Sequence, residues 1–125
     1  MVVNRSSKLI LIGYWDGEET DHSWPSPESF IDHSWDPEDR DLIAQYLSGG
    51  LIVRTYMGYS RCRICGEQNG DVELSDGIFV WPEGLSHYVK AHAIRLPDRF
   101  VTHALGNIDS LESADRDEEW WQSLR

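Results

Sequence analysis

The hydrophobic pattern divides the chain into short elements. KLILIGYW (8–15) crowds β-branched and aromatic residues ahead of an Asp16-Gly17 turn signal and predicts a strand. Residues 16–35 are polar and punctuated by Pro25 and Pro27, which predicts a long irregular connection with one helical turn at PESFID. Residues 36–49 then follow helix grammar: Asp36 suits the N-cap, Pro37 the first helical position, and Glu38 and Asp39 the positive end of the dipole. Gly49 supplies the stop, and Leu42, Ile43, Tyr46 and Leu47 recur at helical spacing as the expected buried face. LIVRTYM (51–57) predicts a strand, and DVELSDGIFVW (71–81) a hairpin about Ser75-Asp76-Gly77. Pro82 and Pro97 each open a predicted short helix, over 82–92 and 97–105. SLESADRDEEWWQSLR (110–125) predicts a final acidic helix carrying Trp120 and Trp121. Together these elements imply an α+β fold with a small antiparallel sheet and short helices, in a single domain over 1–125.

Bulk composition narrows the classes. A chain of 125 residues can bury one core, and 40% hydrophobic content with six Trp and five Tyr is globular rather than disordered. No apolar run approaches the roughly 20 residues of a membrane span, so no membrane association is expected. KLILIGYW lacks a small-residue cleavage site and is not read as a secretory signal. Two cysteines close together make no secreted disulfide framework, and a cytoplasmic location is the expectation.

The net charge of −11 is unevenly spread. Residues 1–53 hold three basic and ten acidic side chains, residues 54–103 six of each, and residues 104–125 two basic and six acidic. An acidic chain repels the phosphates that dominate nucleic-acid affinity, so DNA or RNA is disfavoured as a partner. The simplest role of the acid is solubility; the sharper one is a surface that meets a basic protein partner.

Both cysteines and two of the five histidines fall within residues 62–92. Cys62-x-x-Cys65 stands on a knuckle ending in Gly66, and His87 and His92 are separated by four residues on the helix predicted after it. Tetrahedral zinc takes two such local pairs, one from a turn and one from a helix. The order of knuckle, hairpin and helix, over about 54–105, is that of a zinc-finger-like core, although the 21-residue spacer exceeds the usual dozen. His103, on the next helix, is a substitute for His92, because a regular helix turns positions 87 and 92 to different faces; a distorted last turn would favour His92. A redox dithiol would need a helix start after a buried parallel strand, and taken singly each histidine reads as a surface or core residue.

Two Cys and two His close the coordination of one structural zinc. A catalytic zinc would use three of them, with a carboxylate such as Glu83 or Asp76 as base, giving a zinc-dependent hydrolase as the alternative. The H-x-E signature of zinc deaminases is missing here, and the order of elements is reversed. A third reading, a zinc-finger nucleic-acid binder, needs a basic stripe formed by Arg54, Arg61, Arg63, Arg95 and Arg99.

The motifs C-x-x-C-G (Cys62, Cys65, Gly66), D-G (Asp76, Gly77), W-P-E-G-L-x-H-Y (Trp81 to Tyr88) and R-L-P (Arg95 to Pro97) resemble those of a group of small uncharacterised bacterial, actinobacterial-type proteins. The resemblance covers about 54–105, with LIGYWDG and WDPEDRDLIAQYL similar in style. It implies a shared fold and metal site and brings no activity with it.

Elsewhere, an adjacent Trp pair cannot turn both rings inward from one helix face, which makes Trp120 and Trp121 candidate partner contacts. DGEETD (16–21) lacks the spacing of a calcium loop and reads as a solvated turn. The expectation is a small acidic zinc-stabilised binding protein, of regulator or immunity type, acting through a macromolecular partner.

Overall fold

The computed structural model describes residues 8–16 and 23–125. DGEETD beyond Asp16 lies outside the described residues. The fold is α+β, with strands β1 (Ile10–Leu11), β2 (Leu51–Thr55), β3 (Val72–Ser75) and β4 (Phe79–Pro82). The helices are α1 (Pro37–Ser48), α2 (Leu85–His92), α3 (Asp98–Ser113) and α4 (Glu119–Gln122). The sheet order is β1-β4-β3-β2. β2, β3 and β4 are antiparallel as expected, but β1 runs parallel to β4, so the sheet is mixed. Only the middle of the expected 8–15 strand pairs, with the Ile10 and Ile12 amides donating to Ile78 and Val80.

Helix α1 forms as its sequence grammar dictates. Asp36 accepts the Glu38 amide at 3.0 Å, Pro37 occupies the first turn, and Gly49 ends it. Its buried face is Ile43, Ala44 and Leu47; Tyr46 is half-buried and Leu42 is exposed, a shift of the expected stripe toward α2. The core gathers where α1, α2 and α3 cover β3 and β4. Trp81 is fully buried and donates its indole N–H to the Leu47 carbonyl, and Phe100 sets its ring edge-on to Phe79 and Trp81.

Three boundaries differ from expectation. Pro82 pairs with Glu73 at the end of β4, and the Glu83 amide extends the ladder to Val72, so α2 starts only at Leu85 and Glu83 precedes it. Helix α3 runs past 105 to Ser113, because Ile108 continues its apolar stripe and no proline interrupts it. The expected single helix over 110–125 is broken: Ala114 is extended, and only Glu119–Gln122 form a turn, begun by the Asp117 carboxylate on the Glu119 amide. Between Leu111 and Trp120 the only apolar residue is Ala114, so no apolar face is offered for docking, and so short an undocked helix is marginal in water.

The β3–β4 turn is anchored by Asp76. One carboxylate oxygen accepts the Ile78 and Phe79 amides, and the other accepts the Tyr46 hydroxyl at 2.6 Å and contacts His103 Nε2 at 2.8 Å. Burial raises the Asp76 pKa, but these donors outweigh it and hold the group below its usual range. Tyr46 is pushed up to about 12 by burial and by Asp76. The stability Asp76 supplies is therefore full above the ordinary carboxylate pKa near 4 and is lost as pH falls through its depressed native value. Asp76→Asn should cost about 1–3 kcal/mol at neutral pH and flatten the acid limb of a stability–pH profile measured by denaturant melts; an unchanged acid limb would assign that limb to other groups.

Candidate metal centre

The knuckle is the tip of an extended β2–β3 hairpin. Beyond Thr55 and Val72 the ladder continues through Tyr56 N–H to Asp71, Ser60 N–H to Gly70 and Cys62 N–H to Glu67, with Arg61 bridged to Gln68. At the tip the Gly66 amide closes onto the Cys62 carbonyl, the Ile64 amide donates to Cys62 Sγ at 3.4 Å, and Gly66 takes φ +75°.

The knuckle lies against α2. A Cβ on Gly84 would stand 2.2 Å from the Asn69 side chain, so that side chain packs on the start of α2 as closely as glycine allows. Tyr88 Oη accepts the Arg63 amide at 2.6 Å and fixes the knuckle over the helix. On its other side α2 is held to α1, where Ser86 donates to the Ala44 carbonyl and Arg40 caps the Val89 and Lys90 carbonyls.

Five residues of ideal α-helix would leave His87 and His92 about 140° apart. Instead the last turn is widened: the Tyr88 carbonyl receives the amides of both Ala93 and Ile94, and Ala93 adopts φ 53°. The rings of His87 and His92 then stand 5.0 Å apart, centroid to centroid. One donor atom from each of Cys62, Cys65, His87 and His92 lies within 4.8 Å of all the others, with Cys65 Sγ 3.3 Å from His87 Nε2. Tetrahedral zinc ligands stand roughly 3.3–3.8 Å apart at bond lengths of about 2.0–2.3 Å, so these four residues are arranged to hold one metal ion.

The local chemistry fits that ion. Cys62 and Cys65 are free thiols, the first buried and the second exposed. His92 Nε2 is buried without a hydrogen-bond partner, an orphan that a cation would satisfy. Burial, then the neighbouring His87, lowers the His92 pKa and keeps its ring neutral, the form that ligates. At Cys65 the Glu67 amide pulls the pKa down, but desolvation and the Cys62 sulfur outweigh it and raise the value. A bound divalent ion would reverse that preference.

The remaining sequence candidates sit elsewhere. His103 is paired with Asp76 and is not in the cluster, so it does not substitute for His92. Asp76 is committed to the turn. Glu83 Oε1 accepts the Asp71 and Val72 amides at 2.8 and 3.2 Å, so it serves the strand rather than a helix dipole. Its side chain does line an open polar groove with His87 and Lys90. Arg54 stands 3.9 Å from Glu73 and Arg61 donates to the Gly66 carbonyl, both within the hairpin, whereas Arg95 pairs with Asp32 and Asp98.

One cluster is invisible in the sequence. Glu73 is buried and receives the hydroxyls of Tyr14 and Tyr56, themselves 2.6 Å apart, beneath a cavity of about 390 Å³ walled by Tyr14, Trp24, Tyr56, Tyr59 and Arg63. Burial and then Glu73 push the Tyr14 pKa far up, so this phenol keeps its proton. An acidic residue in mid-strand reads as outward-facing, and only pairing with β2 and the β1 loop turns it in.

Gly66→Ala tests the knuckle. Nothing lies within 4 Å of the added Cβ, so the cost is conformational alone, about 1–2 kcal/mol. Metal affinity should fall about tenfold with the far-ultraviolet circular dichroism unchanged, and Gly66→Asn should lose less.

No family model matches the chain, and no curated protein or solved structure matches it.

Proposed function

We propose that this chain is a metal-stabilised binding protein, with one structural zinc held by Cys62, Cys65, His87 and His92, acting in the cytoplasm through a macromolecular partner as a regulator or immunity-type protein would. The observation that carries the reading is the convergence of four donor atoms within 4.8 Å. Four protein ligands fill a tetrahedral ion and leave no position for a reactive water. The commitment of Glu83 Oε1 to two backbone amides argues in the same direction, since a general base needs its lone pairs free for a proton.

Thiolate and imidazole donors suit zinc over the harder calcium and magnesium ions. Among the described residues no helix is long and apolar enough to cross a membrane. A protein partner with a basic surface suits the net charge of −11, and nucleic acid does not. Trp120 and Trp121 are 66% and 71% exposed, stand beside Glu118 and Glu119, and supply the apolar anchors such a contact needs.

Elemental analysis of purified protein should find about one zinc per chain, and Cys62→Ser should lose it. Zinc binding contributes about 10–16 kcal/mol to folding in small zinc peptides. This chain also buries an apolar core around Trp81 and Phe100 that needs no metal, so chelation should lower the melting temperature by more than about 5 °C without abolishing folding. Metal-free protein that melts unchanged would sink the reading.

Glu83 gives the second check. Glu83→Gln keeps an oxygen for both amides and should retain zinc and stability to within about 1 kcal/mol, whereas Glu83→Ala should cost about 1–3 kcal/mol. Loss of zinc from Glu83→Gln would point to a role at the metal instead.

A further inference from the structure

No acidic residue lies between Asp41 and Glu67, yet Arg54, Arg61 and Arg63 do, in a chain of net charge −11. Within this stretch β2 is an outer strand of the sheet and is exposed along its whole length, with Leu51 and Ile52 mostly bare and Met57 fully so. Arg54 is only loosely held, 3.9 Å from Glu73. The opposite character is found at the other end of the chain. Residues 109–125 carry six acids against two arginines, together with the exposed Leu111, Trp120, Trp121 and Leu124.

These two surfaces meet at one place. Leu51 at the start of β2 and Leu111 near the end of α3 share, with Leu42, Tyr46 and Ile108, the walls of an open groove of about 520 Å³. The acidic segment follows Glu112 at the rim of this groove through extended Ala114, and neither tryptophan lines the groove of its own chain.

We propose that the occupant is a second copy of this chain, with the 114–125 arm of each copy laid over the groove and β2 face of the other. This names the partner of the tryptophan pair and rests on the binding reading above. An arm rooted beside the site that receives its counterpart is the arrangement a two-fold exchange requires, since the same surface then serves on both subunits and closes at two. The charged residues lining the groove are Asp76 and Glu112, so the acids of the arm meet Arg54 on the adjoining β2 face while the groove takes its apolar side chains. The four indoles of two arms, each burying roughly 150 Å² or more, with equal area on the receiving faces, reach the lower bound of about 1,200 Å² for a specific interface. The exchange also covers a strand edge that has no partner among the described residues and would otherwise template aggregation.

Sedimentation velocity on the full chain, loaded with zinc, from about 1 μM to about 1 mM, tests this. The wild type should pass from monomer to dimer within that range, and its Kd should weaken as salt rises, because exposed charges are screened beyond about 8 Å at physiological ionic strength. Trp120→Ser with Trp121→Ser should weaken dimerisation at least about 100-fold, as should Leu51→Glu. Both variants should keep the wild-type melting of the monomer, since these side chains are exposed. An equimolar mixture of the two variants retains one intact arm and one intact groove and should regain a weak heterodimer. A wild type that stays monomeric, a tryptophan variant that dimerises as tightly as wild type, a dimer indifferent to salt, or a mixture that regains nothing would each overturn the exchange. None of these results touches the zinc content or its dependence on Cys62, which judge the binding reading separately.

Discussion

Helix α2 cannot end as an α-helix if His87 and His92 are to share an ion. At 3.6 residues per turn the two side chains diverge, and they meet where the final turn widens onto the Tyr88 carbonyl, just before Ala93 ends the helix in the left-handed region. That conformation costs a non-glycine residue about 1–2 kcal/mol, so something outside the helix must hold it. The irregular segment after the Pro27–Phe30 turn does so: the Asp32 amide donates to the Ala93 carbonyl, Ile31 bridges Ile94, and the Arg95 amide donates to Phe30. Arg95 adds its charge to Asp32 at 3.1 Å. A connection with little regular structure thus sets the shape of the metal centre.

From that constraint the rest of the molecule follows in layers. β3 and β4 are clamped at both ends by carboxylates, Asp76 gripping the turn and Glu83 the amides where β3 begins. The clamp fixes how far the β2–β3 hairpin reaches, and so where its cysteine-bearing tip meets α2. Tyr88 joins the two halves, with its hydroxyl on the Arg63 amide and its ring edge-on to Trp15. Burial carries the Tyr88 pKa up to about 12, which keeps that hydroxyl protonated across the physiological range. Metal site and apolar core are therefore contiguous.

The surfaces left over carry the functional consequence. The helices crowd one region of the sheet, while β2 and the C-terminal arm remain open and apolar, with opposite charge. Exposed apolar area of this extent in a small chain is what the proposed contact with a second copy would cover. Chemistry at the metal would need an open coordination position and a free base, whereas Glu83 Oε1 is committed to the Asp71 and Val72 amides.

The sequence by itself determined what depends on neighbours along the chain: the caps of α1, the Ser75-Asp76-Gly77 turn, the strand character of 51–55, and the pairing of Cys62 and Cys65 around Gly66. Spacing also selected His87 and His92, although the helical period alone argued against them. The tertiary structure decided the rest. Pro82 lies in a strand because Glu73 lies opposite it, β1 is parallel because its partner comes after an intervening helix and two strands, and His103 faces Asp76 because α3 crosses the turn. The same apolar letters that make Leu51 and Ile52 a strand left them outside, because β2 occupies an outer position in the sheet. Hydrogen bonds between near residues are written in local sequence, whereas burial, and which donor atoms meet across space, are properties of how the elements pack.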